Sequence, residues 1–290
     1  MAPNPPTAPI LFDRALLGAR LARAQAAGAA TFLLERASED MADRLQAVSR
    51  SFAAAADVWT PGDGLADVLR KRVAAVDAIG FAEVEALGLA PESRDLVVSA
   101  LALQFVNDLP GVLAQIRRAL KPDGLLLASM LGGDTLTELR QSFAAAEAEC
   151  EGGVSPRVAP FADLRDIGAL LQRAGFALPV TDVDRVVVRY ASAFALMQDL
   201  RRMGATNVLR ERRHGPTRRA TMLRMAQIYA ERFADPDGRI RATFDIVWLS
   251  GWAPHESQQK PLKPGSAKAS LEAAVKASSS PGGGGSTRMK

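Results

Sequence analysis

Apolar residues recur along the chain with two different spacings. Over residues 11–27 and 31–48 they return every three or four positions, which predicts two leading helices. A continuous apolar run at 53–59 predicts a buried strand, and the turn sequence Pro61-Gly62-Asp63-Gly64 follows it. The pattern therefore indicates two helices, a strand, a turn and a further helix that extends to about residue 72.

The next unit has the clearest pattern in the sequence. Residues 96–103 form an apolar run, 108–120 have helical spacing, and Pro122-Asp123-Gly124 leads into the apolar run 125–131. This order predicts a strand, a helix and a second strand, and such a unit pairs its strands in parallel through a right-handed crossover. We therefore expect an α/β doubly wound fold, in which ligands bind at the carboxyl ends of the strands.

The second half of the chain adds four helices and two long strands. The helices are predicted at 134–149, 161–174, 193–203 and 216–233, and the strands at 180–190 and 239–252. The last two helices precede the last strand and form a helical insertion at 192–237. We expect one domain at 11–256, with the leading helices at 11–50, between a disordered N-terminus at 1–10 and a flexible basic tail at 257–290.

Composition limits the class of protein. The chain has 290 residues, of which 48% are hydrophobic, enough apolar surface for a core. The single cysteine, Cys150, excludes an intramolecular disulfide and is typical of an intracellular protein. No apolar run reaches the roughly eighteen residues that cross a bilayer. We expect a cytoplasmic protein with at most peripheral membrane association.

The net charge of +4 comes from the end of the chain, because residues 256–290 hold six Lys or Arg and two acids. Within the neutral remainder, the arginine-rich segment 201–224 holds eight arginines and one acid, with no aromatic residue to stack on bases, so we predict no nucleic-acid partner.

The arginines of this segment suit a bidentate interaction with carboxylates. We predict a docking face for an acidic protein partner, formed by Arg210, Arg212, Arg213, Arg218 and Arg219. The alternative is that these arginines pair internally and fix the insertion in place.

Several stretches carry a family resemblance. Residues 94–110 and 120–124 resemble the fourth and fifth strands of class I S-adenosylmethionine-dependent methyltransferases. Gly132-Gly133-Asp134-Thr135-Leu136 and residues 251–258 are more specific, and resemble the methyltransferase-like assembly factors of respiratory complex I. That family is assigned hydroxylation of an arginine on a core complex I subunit. The resemblance covers about residues 12–271.

The resemblance implies a Rossmann-like methyltransferase fold, S-adenosylmethionine as cofactor and a protein subunit of complex I as partner. It also implies a location at the inner face of the respiratory membrane, or in the mitochondrial matrix if the source is eukaryotic. Three functions stay open: a cofactor-using methyltransferase or arginine hydroxylase, a pseudoenzyme that holds an assembly intermediate, and a methyltransferase of small carboxylates or carrier-protein thioesters. The motif at 132–140 argues against the third.

One departure concerns the turn that holds the cofactor in this superfamily. A glycine-rich turn after the first strand lets the backbone approach the ligand. Here the cofactor turn, residues 57–64, keeps only Gly62 and Gly64, and Trp59 and Pro61 stand where small residues are expected. The resemblance implies that Asp57, Gly62 and Gly64 contact the cofactor. Trp59 and Pro61 favour the interpretation that this turn no longer binds the cofactor. The alternative is an altered turn that still binds it.

The spacing after the cofactor turn is also short. Only 38 residues separate Asp57 from Asp95, whereas one parallel strand–helix–strand unit alone takes about 30 residues. One strand–helix step of the full fold is therefore expected to be missing. Asp77 lies 20 residues after Asp57, the distance at which an acid binds ribose hydroxyls. Residues 73–77 are either the second strand, with Asp77 as the ribose acid, or the third strand, with that acid deleted.

Polar residues near the predicted strand ends complete the candidate site. Ser99 and Leu101 lie at the end of the strand at 96–103, as cofactor contacts, and Gln104 is the best candidate for a polar pocket residue. The further catalytic candidates are Asp134, Glu138 and Arg140. Asp134 is expected to cap a helix, and the other two to grip a guanidinium or carboxylate of a protein substrate.

No metal site is predicted. The sequence has two histidines, His214 and His255, which would have to converge across the fold to bind iron together with a carboxylate.

Overall fold

The computed structural model describes residues 10–258 of the chain. The N-terminus expected to be disordered at 1–10 and the flexible tail expected at 257–290 lie outside the described residues, apart from residues 10, 257 and 258.

A six-stranded sheet runs through the domain. In chain order its strands are β1 (Ala54–Val58), β2 (Ala75–Ile79), β3 (Arg94–Ala100), β4 (Leu120–Gly132), β5 (Ala177–Tyr190) and β6 (Ile240–Trp252). Across the sheet the order is β2-β1-β3-β4-β6-β5. The first four strands are parallel, and β6 is antiparallel to both β4 and β5. The predicted doubly wound α/β fold is confirmed.

Helices cover both faces of the sheet. They are α1 (Arg14–Ala26), α2 (Phe32–Ala47), α3 (Gly64–Arg70), α4 (Leu109–Ala119), α5 (Thr137–Glu151), α6 (Leu164–Arg173), α7 (Ala193–Arg202) and α8 (Arg219–Phe233). One apolar core joins α2, α3, α5, α7 and α8 to the sheet, and a second joins α4 and α6 to it. α7 and α8 fall between β5 and β6, which confirms the helical insertion before the last strand.

The sheet lacks one strand–helix step of the doubly wound order, as the short spacing predicted. The interval between β1 and β3 contains β2 alone among its strands, and β2 pairs directly with β1, with Asp77 beside Ala56. In the doubly wound order the neighbour of the first strand is the second. β2 therefore occupies the place of the second strand, and the step that would follow it is missing.

Short polar side chains fix where several helices begin. The Asp13 carboxylate accepts a hydrogen bond from the Leu16 N–H at the start of α1, and Asp108 does the same for Gly111 at the start of α4. Such caps satisfy backbone donors that lack a partner within the helix. The side chains of Asp13 and Asp108, which directly precede these helices, therefore fix where α1 and α4 begin.

The insertion is joined to α1 by a set of backbone contacts. The Asp13 N–H donates to the Val208 carbonyl at 2.8 Å, and the Arg210 N–H donates to the Leu11 carbonyl at 2.9 Å. Gly204, at the end of α7, has φ +70°, and a Cβ there would lie 2.9 Å from Leu21 of α1. Only glycine allows both this backbone conformation and this approach. The leading helix and the insertion therefore pack as one layer.

We expect Gly204→Ala to lower the free energy of unfolding by about 1–3 kcal/mol, because alanine is strained at positive φ and contacts Leu21. Urea unfolding followed by circular dichroism measures the change. Gly215→Ala is the matched control: a Cβ at Gly215 meets nothing within 4 Å, so its effect should stay within about 0.5 kcal/mol. Equal stability of the two variants would show that the α1–α7 contact is not tight.

Candidate functional site

A cavity of about 1260 Å³ lies at the carboxyl ends of the parallel strands. The cofactor turn after β1, residues 78–81 at the end of β2 and most of the segment 101–105 after β3 form one side of it. α1, α2 and parts of the insertion form the opposite side. Ligands of doubly wound sheets bind at this edge. The cavity is therefore the candidate functional site.

The structure brings part of the predicted cofactor and catalytic set to the cavity. The residues of that set in the lining are Asp57, Gly62, Leu101 and Gln104. The residues of that set outside the lining are Gly64, Asp77, Ser99, Asp134, Glu138 and Arg140.

Trp59 determines the shape of the cofactor turn. Its φ is +60°, a left-handed conformation that glycine adopts without strain and tryptophan rarely does. The indole is 3% exposed and packs in the core on the α4 side of the sheet. Its buried Nε1 has no hydrogen-bond partner among residues 10–258. The backbone thus keeps the turn that glycine normally makes, while a large side chain fills the space that glycine leaves open.

Arg14 of α1 lies directly over this tryptophan. The guanidinium carbon is 4.7 Å from the centroid of the Trp59 ring and 4.7 Å from that of Phe81, which follows β2. Cations are attracted to the faces of aromatic rings, most strongly when solvent is excluded, and Arg14 is only 6% exposed. The leading helix therefore places a cation between the ends of β1 and β2.

Hydrogen bonds hold the same guanidinium in place. Arg14 donates to the carbonyl oxygens of Ala82, Glu83 and Phe105, and its Nη1 lies 3.5 Å from a carboxylate oxygen of Glu85. Burial lowers the pKa of Arg14, and the charge of Glu85 opposes that shift. Sequence analysis missed this residue, because an arginine at the start of a helix carries no signal of the carbonyls that it will meet far along the chain.

Asp57 is the acidic group at the base of the cavity. It is buried, and burial raises its pKa to about 6, although the hydrogen bond from the Thr60 hydroxyl lowers it. That hydroxyl donates to Asp57 at 2.5 Å and accepts from the Ala100 N–H at 2.9 Å. The polar groups of the turn thus tie β1 to β3.

The side chains of Gln104 and Ser99 also form hydrogen bonds between neighbouring segments of the sheet. The Gln104 side chain donates to the Leu101 carbonyl at 2.6 Å and accepts from the Leu131 N–H, across to β4. The Ser99 hydroxyl is buried and donates to the Val58 carbonyl at 2.8 Å. Of the two, only Gln104 also lines the cavity.

Asp77 lies in the middle of β2, away from the carboxyl end of the strand. Its half-exposed carboxylate pairs with Arg94 at the start of β3. The next two residues, Ala78 and Ile79, line the cavity, but Asp77 does not.

The motif at 132–140 follows β4 and is hydrogen-bonded to β6. The expectation that Asp134 caps the following helix was wrong. α5 begins at Thr137 after Leu136, whose φ is +54°, and no side chain caps it. Asp134 instead pairs with Arg185 of β5 at 2.8 Å, because the chain turns through Thr135 before the helix starts.

Glu138 and Arg140 are also engaged within the protein. The buried Glu138 carboxylate accepts from the N–H and the hydroxyl of Thr243 in β6. Arg140 donates to the Thr135 carbonyl at 3.1 Å. In this structure both side chains hold protein groups and neither lines the cavity.

The five arginines of the predicted docking face divide into two groups. Arg212 pairs with Asp13 at 3.4 Å, and Arg213 pairs with Glu151. These two ion pairs match the alternative of internal pairing. Arg210, Arg218 and Arg219 are exposed and form no ion pair within the described part of the chain. The docking face stays a prediction, with these three as its exposed members.

Residues 10–258 contain neither a metal-binding group of side chains nor a membrane-spanning helix. No three His, Cys, Asp or Glu side chains in this range are grouped so that they could hold a metal ion. No helix in this range is both long enough and apolar enough to span a bilayer.

Comparison with known proteins places the fold. A family described as a methyltransferase domain matches residues 44–128. A crystal structure described as a methyltransferase from Bacillus halodurans superposes with a TM-score of 0.51 at 14% identity, covering 75% of this chain and 100% of that one. The fold is that of the class I, Rossmann-like methyltransferases.

Sequence relatives define the family more closely. The protein named "Arginine-hydroxylase NDUFAF5, mitochondrial" of Danio rerio is 39% identical over 262 residues, which are 83% of this chain and 81% of the relative. The Dictyostelium discoideum protein of the same name is 47% identical over 182 residues, 62% of this chain but 42% of that longer relative. The chain belongs to the NDUFAF5 arginine-hydroxylase family.

A second group of relatives carries a different name. A "Malonyl-[acyl-carrier protein] O-methyltransferase" of Laribacter hongkongensis is 40% identical over 197 residues, which are 68% of this chain and 64% of the relative. This similarity is consistent with the shared methyltransferase fold.

We expect Arg14→Ala to lower the free energy of unfolding by about 2–4 kcal/mol, because it removes the charged donor from the carbonyls of Ala82 and Glu83 and the positive charge from beside Glu85. Thermal and urea unfolding measure the loss. Arg23→Ala, an exposed arginine on the same helix, is the control and should change little. If both variants lose the same stability, the Arg14 contacts do not anchor α1.

The raised pKa of Asp57 predicts a pH dependence that Asp57→Asn removes. Between about pH 4 and pH 6 the folded carboxyl keeps its proton, while the unfolded one, with a pKa of about 3.9, has lost it. The folded state binds more protons, so the contribution of Asp57 to the unfolding free energy falls as pH rises through this window.

Relative to the unchanged protein, Asp57→Asn should therefore gain stability on the order of 2 kcal/mol between pH 4 and pH 7. Urea unfolding at both pH values tests this, with Asp63→Asn, an exposed residue of the same turn, as control. Identical pH profiles for the protein with and without Asp57→Asn would contradict it.

Proposed function

We propose that this chain is an assembly protein of respiratory complex I that holds a protein subunit, and that it has lost the methyl donor of its fold class. Membership in the NDUFAF5 family and the motifs at 132–136 and 251–258 support the choice of partner. The holding role is favoured over catalysis because the cofactor turn does not suit the methyl donor. Through this partner the chain would work at the inner face of the respiratory membrane.

The observation that carries the proposal is Trp59 in a glycine conformation beneath Arg14. A methyl donor of the superfamily lies over the turn after the first strand, where the backbone must be open to the ligand. Here the indole is buried at this turn and the guanidinium is stacked on it. The residues present do not fit S-adenosylmethionine.

The adenosine side of the site supports the same conclusion. The acid that grips a ribose stands at the end of the second strand. At that position this chain has Ile79, Gly80 and Phe81, and Phe81 packs on Arg14. Asp77 lies within the strand and pairs with Arg94. The site therefore lacks an acid at the strand end, and an aromatic ring lies there instead.

The second candidate function is methylation of a carrier-protein thioester, which the similarity to the Laribacter hongkongensis methyltransferase favours. That reaction needs the same methyl donor at the same turn. A test of cofactor binding therefore separates the two candidates.

Calorimetric titration with S-adenosylmethionine should give no saturable binding below the millimolar range, equivalent to about −4 kcal/mol or weaker. Thermal unfolding with and without the cofactor is the second measurement, and the midpoint should not move. A micromolar dissociation constant would overturn the loss of cofactor and favour the methyltransferase candidate. In that case Asp77→Ala should weaken binding only if Asp77 is the ribose acid.

Capture of complex I subunits tests the holding role. The tagged chain should co-purify a complex I subunit, identified by mass spectrometry, and capture should fall as salt rises. Charge reversal at the exposed Arg210, Arg218 and Arg219 should weaken capture with little change in melting temperature. Reversal at Arg212 and Arg213 should also destabilise the fold, since these residues pair with Asp13 and Glu151.

The control for capture is Arg173→Glu, an exposed arginine on α6 outside the segment. Capture that is unaffected by reversal at Arg210, Arg218 and Arg219 would place the docking face elsewhere. Capture of no complex I subunit at all would overturn the holding role.

A further inference from the structure

The cavity is larger than a site for a small molecule requires. Pockets for such ligands are typically about 300–1,000 Å³, and this one is about 1260 Å³. Much of its lining is apolar and includes Met197, Met203 and Met222, and methionine adapts its shape to irregular partners. The space and its walls suit a short segment of polypeptide.

Charges in the lining are predominantly positive. Six arginines line the cavity, compared with two acids, Asp57 and Asp63. Four of these arginines have acidic partners behind the lining: Arg14 with Glu85, Arg157 with Glu147, Arg212 with Asp13 and Arg213 with Glu151. The other two, Arg20 and Arg201, have no ion pair within the described part of the chain.

Arg20 is the more constrained of these two. It is half-buried on α1, and its Nη1 donates to the Asn207 carbonyl at 2.5 Å, which points the guanidinium toward the insertion. Arg212, which lines the same cavity, pairs with Asp13 at 3.4 Å, and Asp13 and Arg212 are both among the charges that act on Arg20. Burial first, then the charges of Arg212 and Arg23, lower the pKa of Arg20, and Asp13 only partly opposes them. An anion beside the pair would relieve this repulsion.

We infer that Arg20 and Arg212 bind an acidic side chain of a partner segment that enters the cavity, with the apolar neighbours of that side chain packing on the cavity wall. Arginine suits this role because its planar donors match a carboxylate. Apolar lining residues beside the pair are Leu17, Leu21, Phe161, Met203 and Val208. The inference rests on the proposed holding function and names what the held segment must carry.

Synthetic octapeptides test this binding without the natural partner. One alternates leucine with glutamate and the other alternates leucine with lysine, each labelled with fluorescein, and anisotropy measures binding to the full chain. The Leu-Glu peptide should bind at least tenfold more tightly than the Leu-Lys peptide, and its affinity should fall with salt. Equal affinity for the two peptides, or no binding of the Leu-Glu peptide, would overturn the inference.

Variants locate the site within the chain. Arg20→Gln and Arg212→Gln should each weaken Leu-Glu binding about tenfold, and Arg20→Lys should keep part of it because the charge remains. Arg173→Gln, on the distant exposed face of α6, should bind like the unchanged protein. Melting temperatures of all four variants exclude unfolding as the cause. Unchanged binding in both glutamine variants would overturn the assignment to this pair.

The outcome is separable from that of the proposed function. If the complex I subunit is captured while the peptides show no charge preference, the holding role stands and only the Arg20–Arg212 site is wrong. If the Leu-Glu peptide binds at this pair while no complex I subunit is captured, the site stands and the identity of the partner is wrong.

Discussion

The contact between Arg14 and the aromatic rings of Trp59 and Phe81 is the interaction on which the rest of the site depends. It joins the first helix of the chain to the ends of β1 and β2, at the edge where doubly wound sheets bind their ligands. α1 also approaches Phe81 closely at Gly18, where a Cβ would lie 2.8 Å from the ring. The protein thus packs its own side chains between the ends of β1 and β2, at one wall of the cavity.

A fixed α1 in turn positions the insertion. The backbone of residues 208–210 bonds to that of residues 11–13, so the segment between α7 and α8 is held against the leading helix. α1 and the insertion both contribute to the side of the cavity opposite the strand ends. α1 carries Arg20, and the insertion carries Arg212. The chemistry of the cavity mouth therefore comes from the parts of the chain that a minimal methyltransferase domain does not need.

Sequence patterns predicted the features that depend on local spacing. The strand–helix–strand unit from β3 to β4, the insertion and the missing strand–helix step all follow from periodicity and from the short interval after Asp57. Features that depend on long-range contacts were not predicted. Asp134 was expected to cap α5, but its partner is Arg185 of a later strand. Nothing near Arg14 in the sequence indicates that Trp59 and Phe81 will lie on either side of it.

The missing strand and the altered turn affect the same half of the sheet. Without an outer neighbour, β2 is an edge strand, and the exposed Asp77 paired with Arg94 is typical of the charges that protect such an edge from pairing with other chains. Its carboxylate is engaged with Arg94 and does not line the cavity. Phe81, Glu85 and Arg14 then supply packing and charge beside the shortened half. The missing step and the packing of Arg14 on Trp59 and Phe81 are therefore structurally coupled, because these side chains lie beside the half of the sheet that has become its edge.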